Sequence, residues 1–474
     1  MKRPMAVVGV ATAVVLLAGC GGGNDDKSDS KPDSDGSTAA ATPSAPAAAS
    51  FDPPKAFAAL SAFGIERTDK DNQYSLHAGM VGQSSLIAGR TGVTGRNIAA
   101  QGEPWTVPSA GAPTTETLDV TAPMGVQLDG KDVVAIAYVQ NDKGNGTQKA
   151  KGQVVFQWLN ATDGKKVAEV TADLTPALGA GQGGDNVVSQ AYDAATGQIV
   201  VGVGADGEEA AKKGGEVFTV YADPKTKKSN VIPFVTPAGV LNGVVAGAKG
   251  NNREGAADGT IVIADGPTGK ITKQTPTKQD YLNPAGSGSK RAYLASNSYV
   301  DDDKYNNVLY SVDIASGAVV ETKSQVVDER VSTFTCWGDQ AKAVVCTSGQ
   351  SGGPEIIGFD DTTGKKTWGY TDESASRVVP TVTAAYHGIV YAQSEVQPVL
   401  MNAATGEDVS TPSATSRPSY TKDPSTTNGS DMSLYDGKLK SPTAVTQYGG
   451  AYLQDPTGSN YDLESVLIAL APRA

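Results

Sequence analysis

From about residue 117 onward, apolar positions come in short runs rich in Val, Ile, Thr and Tyr, each cut off by a cluster of Gly, Asp, Asn, Ser or Thr. Runs of roughly 4–8 residues bounded by turn formers predict β-strands, and helical periodicity is absent apart from a short helix expected over 54–63. One unit recurs: an apolar strand, an Asp or Asn, two spacers, Ser or Thr, a Gly, and a second strand. Its copies are Leu159-Asn160-Ala161-Thr162-Asp163-Gly164, Tyr192-Asp193-Ala194-Ala195-Thr196-Gly197, Ala264-Asp265-Gly266-Pro267-Thr268-Gly269, Val312-Asp313-Ile314-Ala315-Ser316-Gly317, Phe359-Asp360-Asp361-Thr362-Thr363-Gly364 and Met401-Asn402-Ala403-Ala404-Thr405-Gly406. An Asp or Asn side chain accepts from backbone amides two or three residues on, and Gly takes the positive φ that returns the chain, so each copy predicts a hairpin turn.

The last four of these glycines, at 269, 317, 364 and 406, are 48, 47 and 42 residues apart. That is the spacing of four-stranded propeller blades and too long for most solenoids. Grouping strands by turn gives blades at 117–171, 187–236, 240–277, 281–324, 331–371 and 378–411. The tail at 442–471 looks incomplete, and strands from about 74–105 would finish it. The fold expected is an all-β propeller of seven blades, with eight as the alternative, closed by pairing of the chain ends so that no sheet edge is exposed. The Ser-, Thr- and Pro-rich segment 412–441 is an insertion.

The pattern before residue 51 is different. Lys2 and Arg3 precede an apolar stretch from Met5 to Leu17, which ends in Leu17-Ala18-Gly19-Cys20 before the chain turns polar. This is the order of a secretory signal, and the stretch falls short of the roughly 20 apolar residues of a comfortable transmembrane helix. The small residues before Cys20 resemble the bacterial lipobox, which implies acylation of the Cys20 thiol and cleavage before it. Residues 21–50 carry no large apolar side chain and predict a flexible tether. The organisation expected is a signal peptide at 1–19, a lipidated cysteine and tether at 20–50, and a propeller at 51–474, held on the extracytoplasmic side of the cell membrane.

Charge narrows the partners. The formal net charge is −12, and loss of Lys2 and Arg3 with the signal takes it to −14. Nucleic acid is therefore not expected as a partner, and neither is close contact of the body with anionic lipid. Beyond Cys20 the only cysteines are Cys336 and Cys346, which flank a short polar turn; a cross-strand disulfide is expected, with two buried thiols as the alternative.

Phe359-Asp360-Asp361-Thr362-Thr363-Gly364-Lys365-Lys366-Thr367-Trp368 resembles the blade repeat of quinoprotein-like (PQQ-like repeat) propellers. That resemblance implies turn roles for Asp360 and Gly364, packing of Trp368 between neighbouring blades, and a fold shared by quinone-dependent dehydrogenases and by bacterial binding or scaffold lipoproteins. The dehydrogenases carry adjacent, disulfide-bonded cysteines over the quinone, whereas Cys336 and Cys346 are separated, and no Cys-x-x-Cys-His haem attachment occurs. No cofactor and no catalytic residue is expected.

Other motifs weigh little. Gly202-Val203-Gly204-Ala205-Asp206-Gly207 matches a dinucleotide fingerprint but is read as a blade loop, because no helix follows. Gly349-Gln350-Ser351-Gly352-Gly353, with His387 downstream, matches a hydrolase nucleophile pattern but runs on into Pro354 rather than a helix. His77 and His387 are the only histidines, and Asp301-Asp302-Asp303 with Asn306 lacks an EF-hand pattern, so no metal site is expected. Tyr293, Tyr299, Tyr305 and Tyr310 are candidates for a recognition surface. The function expected is binding or scaffolding of an envelope protein, peptide or glycan; the alternative is an enzyme with its active site in the propeller channel.

Overall fold

The computed structural model describes residues 49–67, 76–98, 103–111, 114–179, 183–205, 217–250, 252–301, 304–327, 334–348, 353–394, 398–410, 441–454 and 465–473. Cys20 and Ser351 lie outside these residues, as does nearly all of the 412–441 insertion. The only helices among them are two of four residues each, Thr175–Leu178 and Asp372–Ala375, and none is long and apolar enough to cross a membrane.

The repeated unit closes hairpins as its chemistry requires. Asp360 accepts from the Thr363 amide at 2.7 Å and the Thr363 hydroxyl at 2.9 Å, while the Gly364 amide donates to the Asp360 carbonyl at 2.7 Å. The same amide-to-carbonyl closure recurs at Gly164, Gly197, Gly269, Gly317 and Gly406, and all six glycines have φ between +64° and +76°. A further copy is invisible to a search for Gly: Asp223 accepts from the Lys225 and Thr226 amides, and Lys227 takes the left-handed position at φ +54°.

These hairpins build eight antiparallel sheets. We number them as blades in chain order: blade 1 (77–108), blade 2 (115–173), blade 3 (187–233), blade 4 (236–276), blade 5 (281–323), blade 6 (334–371), blade 7 (381–410) and blade 8, which takes strands from both chain ends. The all-β propeller expected from the repeat is present, and the sheets number eight, the second of the two counts the repeat left open. The strands of 74–105 do not finish the last blade. They form a sheet of their own, and blade 8 is finished instead by strand Ala56–Arg67, which pairs with Ser465–Arg473.

That strand corrects the helix expected over 54–63. Its Ala-rich sequence favours a helix locally, but the edge beside Ser465–Arg473 offers a ladder at 56–58 and again at 63–67, broken by an irregularity between Ala58 and Phe63, and pairing overrides propensity.

The ring is continuous from blade to blade. The Thr446 hydroxyl of blade 8 donates to the Gly82 carbonyl of blade 1 at 2.8 Å. The Ala122 amide donates to Gln190 Oε1 at 2.7 Å between blades 2 and 3, and Ser189 Oγ to the Pro237 carbonyl at 2.8 Å between blades 3 and 4. The Lys290 amide donates to Asp361 at 2.9 Å between blades 5 and 6, the Gly388 amide to Asp339 at 3.0 Å between blades 6 and 7, and Thr383 Oγ1 to the Pro442 carbonyl at 2.8 Å between blades 7 and 8. Blades 1 and 2 share a core of Val81, Leu86, Val120 and Tyr138, and blades 4 and 5 one of Ile261, Ile263, Leu294 and Ile314.

Aromatic rings lock several of these junctions. Trp158 of blade 2 is fully buried and donates from Nε1 to the Gly197 carbonyl of blade 3 at 2.8 Å. Trp368 of blade 6 donates to the Ala403 carbonyl of blade 7 at 2.9 Å, and its ring lies where a Cβ on Gly406 would come within 2.4 Å. Trp105 of blade 1 covers Gly164 of blade 2 in the same way. The hairpin glycine therefore serves twice, once for its dihedral and once for the space it leaves to the preceding blade.

Candidate interaction face

Four-stranded up-and-down sheets send their connections to two ends of the ring. One end carries the turns between first and second and between third and fourth strands; the other carries the second-to-third connections and the crossings between blades. Five of the eight first-to-second turns are two residues long, at 82–83, 129–130, 242–243, 387–388 and 447–448, and the other three have three to six residues. At the opposite end lies the connection 143–150, and the described strands that flank 205–216, 250–259, 411–443 and 455–464 also end there. We call these the turn end and the loop end.

The chain enters the body at the turn end. The Phe51 amide donates to the Gln447 carbonyl at 2.9 Å, and the Asp52 carboxylate pairs with Nδ1 of His387, whose ring stacks on Tyr386 at 4.0 Å. The Tyr391 hydroxyl donates to the Pro54 carbonyl at 2.6 Å. His387 is thus a turn residue at φ +40° that fastens the incoming chain.

The channel wall comes from the innermost strands, and their exposed or half-buried side chains are mostly neutral: Val188, Gln190, Asn283, Thr335, Trp337 and Thr381. The innermost pairs of blades 2, 3, 4, 5 and 7 each slip register by one residue, as between Val187 and Ser189 and between Val382 and Ala384. Such bulges re-aim side chains, and Thr383, the extra residue of blade 7, reaches across to blade 8. Carboxylates on these strands occur only in blade 2. There Glu116 pairs with Lys143 at 3.0 Å, while Asp119 accepts from the Val120 and Val187 amides at 2.9 and 2.8 Å. His77 begins the innermost strand of blade 1; burial lowers its imidazole pKa, against the opposing pull of the nearby Asp119 charge. Among the described residues no group of three His, Cys, Asp or Glu side chains could hold a metal.

The loop end is stiffened from beneath by buried carboxylates. Glu355, fully buried in blade 6, accepts from the Ser324 hydroxyl and, at 3.2 Å, from the Gln325 amide of the crossing from blade 5. Burial pushes its carboxyl pKa above the ordinary range. The unfolded chain releases this proton at lower pH than the folded one, so stability is lost as pH rises from the ordinary carboxylate range through the raised value. Glu355→Gln should remove that slope. Denaturant midpoints of both proteins, followed from about pH 4 to pH 8, should diverge toward high pH in favour of the variant; parallel curves would show the carboxylate to be unperturbed.

The residues singled out in the sequence are placed as follows. Cys336 and Cys346 face each other across paired strands of blade 6 and are joined by a disulfide. Asp360, Gly364 and Trp368 form the hairpin and junction described above. Gly202 and Gly204 stand in the fully buried strand Ile199–Gly204, not in a loop, and a Cβ on Gly202 would meet Ser189 and Pro237 at 2.6 and 2.9 Å. The fingerprint is therefore strand packing up to Ala205, and its remainder lies outside the described residues. Tyr293 and Tyr310 are buried in blade 5, whereas Tyr299 is 43 % exposed. Sequence reasoning passed over Val300 and Val327, 62 % and 51 % exposed, because single valines in a β protein carry no signal of their own.

No family model matches the chain, and no curated protein matches it. Solved structures similar to it include the β-propeller domain of the Trilobed protease from Pyrococcus furiosus, at 14 % identity over 74 % of this chain and 92 % of that one, with a TM-score of 0.38. Dihydro-heme d1 dehydrogenase NirN is 15 % identical over 76 % of this chain and 74 % of its own, at a TM-score of 0.42. Hydrazine synthase from Kuenenia stuttgartiensis is 10 % identical over 71 % and 97 %, at 0.41. The fold stands on the strand topology itself, and likeness at this level assigns no activity.

Proposed function

We propose that the protein is an extracytoplasmic binding or scaffold propeller, anchored to the cell membrane through lipid on Cys20, that recognises an envelope protein, peptide or glycan with its loop end. One observation carries this reading. The chain is fastened at the turn end by Phe51, Asp52 and Pro54, while the strands that flank the longest connections end at the opposite end. A chain that joins the ring at its turn end leaves the connections of the other end clear of that junction. Loops on a rigid scaffold are where recognition concentrates. The separation of Cys336 from Cys346 in the sequence supports binding over quinone chemistry.

The test has two parts. Cys20→Ser should move the protein from the membrane to the soluble fraction of cells, and unchanged membrane retention would contradict lipid anchoring. A photo-crosslinking residue at Lys149, exposed at the loop end, should capture a defined envelope component in living cells. The same residue at Lys225, exposed at the turn end, should not. Capture from Lys225 alone, or from neither position, would overturn the reading.

A further inference from the structure

An asparagine followed by glycine carries a reaction of its own. The glycine amide nitrogen can close a five-membered ring on the carboxamide carbon one residue back, and no side chain on the glycine blocks the approach. Three such steps occur, Asn145-Gly146, Asn242-Gly243 and Asn428-Gly429, and the third lies outside the described residues. In a folded protein the reaction is governed by whether that nitrogen is held by a hydrogen bond and whether the backbone around it is free to bend.

The two described steps differ in both respects. Asn242 and Gly243 form the two-residue turn of blade 4, and Gly243 is buried. The Asn242 amide donates to Asp193 at 2.9 Å, the Gly243 amide donates to Gln198 Oε1 at 2.6 Å, and the Gly243 carbonyl accepts from the Gly266 amide at 2.8 Å. Blade 3 therefore occupies the nitrogen that would attack. Asn145 and Gly146 lie in the connection 143–150 at the loop end of blade 2, beyond the last ladder pair, Asp142 with Lys151. Their turn is closed by the Gln148 amide, which donates to the Asn145 carbonyl at 2.7 Å, a bond that leaves the amide of the second turn residue unused. Among the described residues the Gly146 amide has no acceptor and the Asn145 carboxamide has no partner. Every residue from 145 to 150 is exposed, Gly146 has φ +45°, and a Cβ placed on it would meet nothing within 4 Å.

We propose that Asn145 is a site of spontaneous conversion to aspartate and isoaspartate, with water as the only co-reactant. The Gly146 nitrogen bonds to Cγ of Asn145, the Cγ–Nδ2 bond breaks, and the leaving nitrogen takes up the proton that the Gly146 nitrogen gives up, departing as ammonia. Water then opens one of the two carbon–nitrogen bonds of the ring. Opening at Cγ restores the main chain and leaves aspartate; opening at the main-chain carbonyl carbon routes the chain through Cγ and leaves isoaspartate. Either product replaces a neutral amide with a carboxylate between Lys143 and Lys149. The loop end thus gains one negative charge in each molecule that reacts, and isoaspartate also adds a methylene to the backbone of the connection. The chemistry needs no partner and is independent of the binding reading.

The test holds the full-length protein in detergent at mildly alkaline pH, folded in one sample and unfolded in urea in another. Peptide mapping by mass spectrometry follows the exchange of NH₂ for OH at each asparagine, and an isoaspartate-specific methyltransferase labels the rearranged product. Folding should slow conversion of Asn145 by less than about threefold and that of Asn242 by more than about tenfold, since only the second nitrogen is held. Gly146→Ala should slow conversion at Asn145 about tenfold in the folded protein, and Asn242, still protected in the same sample, reports that the ring is intact. Protection of Asn145 equal to that of Asn242 would overturn the inference. So would an unchanged rate in Gly146→Ala, or aspartate formed at 145 with no isoaspartate, because the ring would then not be the route. None of these results touches the crosslinking from Lys149, which reads a partner rather than the chain's own chemistry.

Discussion

Truncating the chain after Asp462 should destabilise all eight blades together. Ser465–Arg473 is an interior strand of blade 8, pairing with Gly449–Gln454 on one side and with Ala56–Arg67 on the other. Its loss breaks two ladders at once and releases the first strand from its only sheet partner. It also opens the junctions at Thr446–Gly82 and Thr383–Pro442, which tie blade 8 to blades 1 and 7. An open ring exposes unpaired edges that invite association. The cost should be on the order of the whole 5–15 kcal/mol margin of a native protein, read as a single lowered calorimetric transition accompanied by aggregation. A truncated chain that melts like the intact one, or loses one small separate transition, would show that the blades do not depend on closure.

Trp158→Ala should be the most costly single substitution at a blade junction. The side chain is fully buried, stacks near Phe156 at 6.1 Å and donates to the Gly197 carbonyl of the next blade. Truncating a buried Trp costs about 3–5 kcal/mol. Trp158→Phe keeps most of the apolar area and should lose about 1–2 kcal/mol, chiefly for the missing hydrogen bond. The junction at Trp368 offers a cycle that separates space from dihedral. Gly406→Ala carries both the positive-φ penalty at +73° and a Cβ at 2.4 Å from the Trp368 ring. In a Trp368→Ala background only the dihedral penalty, about 1–2 kcal/mol, should remain. Chemical denaturation of the four proteins gives the coupling, and additive effects would mean that the ring does not use the space left by Gly406.

Blades 2 to 7 were legible in the chain because their turns are local: Asp or Asn binds amides two and three residues away, and no distant residue is consulted. Where Lys227 stands in the left-handed position, the same turn forms but the pattern has lost its marker. Blade 1 was legible as strands, yet its separation from blade 8 was not. That distinction depends on which strand lies beside Ser465–Arg473, a fact of pairing between residues some 400 positions apart. The helix expected over 54–63, where strand Ala56–Arg67 stands instead, has the same origin, since nothing within the segment announces the open edge that recruits it.

The exposed end of blade 5 was only half visible. Tyr299 and Tyr305 could be named as candidates together with Tyr293 and Tyr310, but two of those four point into the core. What separates them is where along the strands the neighbouring blades stop covering the sheet, and that cover is a property of the assembled ring. The disulfide partners, by contrast, were within reach of local reasoning, because Cys336 and Cys346 face each other across one hairpin.

Closure by the two chain ends also sets an order of events in time. The first body strand to be made, Ala56–Arg67, has no sheet partner until the last one, Ser465–Arg473, has been synthesised. Bringing such distant segments together is entropically costly and slow compared with forming the local hairpins between them. For a chain proposed to cross a membrane, this delay is an advantage. The leading end emerges first and can be fixed to the bilayer while its ring partner is still on the other side. On that reading the ring closes only once its last strand has followed the first across.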